Sequence, residues 1–138
     1  MTRKGSTKKV GDDFARGQLN NARAYLEAAR EAFALLDESG NANPAMSQIV
    51  NAAIAFADAL TASRKSEVNQ QDHSGAVKSL RAAFGNALPK AQETRLRRIL
   101  DQKDEVQYGA TIGRMSDARS RLDDLEEFAR WAELQIAR

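Results

Sequence analysis

The sequence predicts an all-α protein, an up-and-down bundle of four to five helices. Three observations predict it. Apolar residues recur at helical steps of three and four along nearly the whole chain. No stretch alternates apolar and polar residues with a period of two, as a half-buried strand would. Gly40, Asn41, Asn43 and Pro44, then Gly85, Asn86 and Pro89, and later Gly109 and Gly113, punctuate the periodic stretches.

Phe14, Ala22, Leu26, Ala29, Phe33 and Leu36 draw one stripe on a first helix of about residues 12–37. Gly40, Asn41, Asn43 and Pro44 make a turn, with Pro44 suited to open the next helix. Met46, Ile49, Ala53, Phe56 and Leu60 form a heptad-like seam on a second helix near 44–65. This helix is rich in alanine, whose small side chain lets neighbours approach, so it is expected at the centre of the bundle. Residues 66–71 are polar and aperiodic and read as a loop. Asp72 is suited to cap a short third helix carrying Val77, Leu80 and Phe84. Gly85, Asn86 and Pro89 separate it from a fourth, with Leu96, Ile99, Leu100 and Val106 inside. Tyr108, Gly109 and Gly113 mark another loop, and Ser116 is placed to cap a fifth helix. Ala118, Leu122, Leu125, Ala129, Ala132 and Ile136 form its seam, widened by Phe128 and Trp131.

The 138 residues form one domain, 12–138, behind a disordered basic tail at 1–11. Hydrophobic residues at 42% and charged residues at 29% are the proportions of a soluble globular chain. The first nine residues hold four of the 21 basic groups and none of the 19 acidic ones, so the body is slightly acidic. Such a tail can meet an anionic partner or simply keep the terminus solvated. Cysteine is absent, which excludes a disulfide framework and thiolate metal sites and suggests the cytoplasm. The longest apolar run, 52–60, is interrupted by Asp58 and is too short for a bilayer, so no membrane association is expected.

Several chemistries lack their residues. Gly109 to Gly113 has neither the spacing nor the lysine of a phosphate-cradling loop. Glu-x-x-His pairs, which a di-iron bundle needs, are absent. Neither a cofactor nor a metal is expected. His73 beside Asp72 can be an acid–base pair, or the start of a capped helix. Arg95, Arg97 and Arg98 can reach phosphates, or pair along the helix, Arg97 with Glu93 or Asp101. Asp123, Asp124, Glu126 and Glu127, with arginines at nearby steps, read as a solvated face.

The stretch 103–109, Lys-Asp-Glu-Val-Gln-Tyr-Gly, is the best site candidate, because it sets polar groups on a stripe of leucine and isoleucine. Asp58 stands near the seam of the second helix among alanines, and an Asp58–Lys103 ion pair would satisfy both charges. That pairing predicts a strong loss of stability for Asp58→Ala, partly recovered in the double substitution.

Taken in order, these features resemble the HEPN superfamily (higher eukaryotes and prokaryotes nucleotide-binding), over roughly residues 14–137. The resemblance is carried by the alanine-rich helix with Asp58, the Asp72-His73 pair, the short helix 76–80, the arginine-rich helix ending at Lys103 to Gly109, and the final acidic helix. It looks most like the small stand-alone bacterial members. The resemblance implies an up-and-down bundle, frequently a homodimer. Many members are metal-independent RNases that use an arginine followed four to six residues later by a histidine. Others bind nucleotides or partner nucleotidyltransferases in toxin–antitoxin pairs. Here the arginine position falls near Lys103 and the histidine position near Gln107, with Tyr108 close by. Lysine lacks the bidentate fork, and glutamine cannot exchange a proton near neutrality. Arg64 lies nine positions before His73, too far to rebuild the motif. The expected function is therefore a non-catalytic module that binds a nucleotide, nucleic acid or protein partner. Its cleft would be lined by Asp58, Arg98, Lys103, Asp104, Gln107 and Tyr108. A degenerate RNase using His73 with Arg64 or Arg98 is the alternative.

Overall fold

The computed structural model describes residues 7–37, 40–65, 67–69, 73–102 and 113–137, with residues 7–8, 67–69 and 73–74 described by backbone alone. The protein is an all-α bundle. Its five described helices are α1 (Asp12–Ala34), α2 (Asn43–Lys65), α3 (His73–Phe84), α4 (Lys90–Asp101) and α5 (Met115–Ile136). Gln18, early in α1, meets Asp58, late in α2, so the two helices run antiparallel. Arg23 and Arg30 of α1 reach Glu133 and Glu126 of α5 in reversed order, so this pair is antiparallel too.

Helix α2 packs on α1, α3, α4 and α5, the central place that its alanines predict. Met46, Ile49, Val50, Phe56 and Leu60 of α2 are fully buried with Leu80, Leu96, Ile99, Leu125 and Phe128 from the helices around it. Alanines 52, 53, 55, 57, 59 and 62 are buried as well, which brings the helices close at the cost of little side-chain entropy. By length and composition α2 is the one described helix that could cross a membrane, but 72% of its most apolar window is buried inside the bundle. It is a core helix.

Two differences from the sequence expectation are local. Thr7–Lys9 and Glu67–Asn69, read as tail and loop, pair as a short antiparallel ribbon with Lys8 opposite Val68. Three residues are too few to show alternation, and the ribbon rests on backbone pairing. Helix α5 starts one residue before Ser116, at Met115, with Arg114 at its N-cap and no side-chain cap. The Arg114 carbonyl accepts from Ala118 N–H at 3.1 Å, so the first turn closes without the serine hydroxyl.

The start of α2 is fixed by residues far along the chain. Asn43 Oδ1 accepts from Gly113 N–H at 2.9 Å, and Ala42 N–H donates to the Gly113 carbonyl at 3.1 Å. A Cβ on Gly113 would come within 2.6 Å of Asn43 Oδ1, so the approach requires glycine. Gly113→Ala should lower stability by about 1–2 kcal/mol, read as a lower urea midpoint. An unchanged midpoint would show that this tie is slack.

Candidate functional site

The site forms where α1 and α2 lie side by side. Gln18, Asn21 and Tyr25 follow at steps of three and four on α1, so they share a face. Asn51 and Asp58, seven positions apart, share a face of α2, with Ile54 and Ala55 between them. Gln18, Asn21, Tyr25, Asn51, Ile54 and Ala55 line an open groove of about 290 Å³. Gln18 connects this groove to Asp58.

Asp58 is half-buried in the most apolar helix of the bundle. Its hydrogen bond among the described residues comes from Gln18, whose Nε2 lies 3.5 Å from Oδ2, a long contact. Gln18 is oriented by Asn21, which donates from Nδ2 to Gln18 Oε1 at 2.9 Å, leaving the amide NH₂ toward the carboxylate. Burial pushes the Asp58 carboxyl up from its ordinary 3.8 to about 7, against the weaker opposing pull of Gln18. None of the ion pairs among the described residues includes Asp58. The face can therefore hold a proton near neutrality, accept a hydrogen bond, or accept a cation. Tyr25, 40% exposed, adds a ring at its edge.

Arg98 is engaged elsewhere. Its Nη2 donates to Asp124 Oδ1 at 2.9 Å and joins α4 to α5. Asp124, expected on a solvated face, is instead buried, because α4 packs on α5 there. Arg121 Nε lies 3.1 Å from Asp124 Oδ2, yet both atoms lack a hydrogen bond. The pair is therefore held by coulombic attraction rather than by an aligned hydrogen bond. Arg81 is the main partner of Glu93 and holds its carboxyl below the usual range, while Arg97 approaches only to 4.0 Å. Arg30 and Glu126, and Arg23 and Glu133, form two-pronged clamps between α1 and α5, with distances of 2.6–2.8 Å.

Of the residues predicted for the cleft, the structure thus describes Asp58 and Arg98, and it gives them different neighbours, Gln18 on α1 and Asp124 on α5. Lys103, Asp104, Gln107 and Tyr108 lie outside the described residues, as does Asp72. His73 opens α3 and is described by backbone alone. Sequence reasoning missed Gln18, Asn21, Tyr25 and Asn51. Their helical spacing was a usable signal, but it does not say which neighbour they meet. Among the described residues no group of three or more histidines, cysteines or carboxylates converges as a metal site. No family model matches this chain, and no curated protein matches it, so the site is read from its own residues.

Proposed function

We infer that the chain is a non-catalytic binding module of the HEPN-like kind, a cytoplasmic homodimer that docks a protein partner through the α1/α2 face around Asp58. The observation that carries this reading is Asp58 itself. A half-buried carboxylate with one long hydrogen bond costs the fold stability, and such a group is retained where a ligand completes it. The chemistry favours protein over nucleotide or nucleic acid, because the groove is lined by amides, an aromatic ring and apolar carbon without a cation, and the neighbouring Asp58 carboxylate repels phosphate. Depletion of charge with an aromatic present is also the composition of an interface centre. The family resemblance suggests a nucleotidyltransferase as the partner, in a toxin–antitoxin-type pair. The glutamine at position 107 supports the non-catalytic part of the reading, since it cannot shuttle protons.

A photo-crosslinker placed at Tyr25, with one at Lys90 as control, tests the reading in producing cells. Crosslinks at Tyr25 that mass spectrometry assigns to a second copy or to a nucleotidyltransferase support it. Equal labelling at both positions removes the docking face. Cleavage of bulk RNA by the purified protein, lost on His73→Ala, replaces it with the RNase alternative.

A further inference from the structure

We draw no further inference here: the strongest candidate, the open depression at the start of α5 lined by Arg114, Met115, Ser116 and Arg119 beside Asp37, is a helix N-terminus flanked by exposed arginines, and nothing in the structure shows what covers it.

Discussion

Asp58→Asn should raise the thermal midpoint at pH 8 by roughly 5–15 °C and leave it nearly unchanged at pH 4, as read by calorimetry across the range. The folded carboxyl titrates near 7 and the unfolded one near 3.8, so the native state holds this proton more tightly. Stability from this group is fully present below the unfolded value, falls as pH rises from about 4 to 7, and is level above that. Each pKa unit corresponds to about 1.4 kcal/mol, and some solvent remains at a half-buried site, so the loss is about 2–4 kcal/mol. Asparagine keeps the shape and the acceptor for Gln18 but carries no charge to desolvate. The sign decides between two accounts. Stabilisation means that Asp58 stands without a cation in the isolated chain. Destabilisation at pH 8 means that a cation of the same chain pairs with it, and Lys103 is the one the sequence nominates.

Asp124→Ala should cost about 2–3 kcal/mol, the larger loss of the two sites. Asp124 is buried, and its removal leaves Arg121, whose side chain is only 20% exposed, without a counter-charge. Arg98→Ala should cost about 1 kcal/mol, because that side chain is half-exposed and water can replace the pair. The double substitution should cost less than the two losses added, since both delete the same 2.9 Å contact. Urea denaturation of the three variants checks this. A change within about 0.5 kcal/mol for Asp124→Ala would mean that the carboxylate contributes nothing to joining α4 and α5.

The core was legible in the sequence because it is periodic. Met46, Ile49, Ala53, Phe56 and Leu60 read as a seam, and all five are buried, as are Ala118, Leu125, Ala129 and Ala132 of α5. Asp58 was legible as a charge out of place. Its hydrogen-bond donor was not, because Gln18 lies 40 positions away and polar residues on a helix surface look alike until a second helix covers some of them. Asp124 was misread for the same reason. Within its run nothing marks it off from Asp123, and only the crossing of α4 puts one in the interior and leaves the other in solvent. The ends of helices were the weakest part, since Arg114 rather than Ser116 stands at the cap of α5, a shift of two residues.

The methyl-sized side chains along α2 have a consequence for recognition. Backbones drawn this close leave few alternative rotamers and little room for one helix to slide on another. A partner that docked on the face proposed above would meet side chains carried on this tightly packed helix pair, so little ordering of the helices would be needed on arrival.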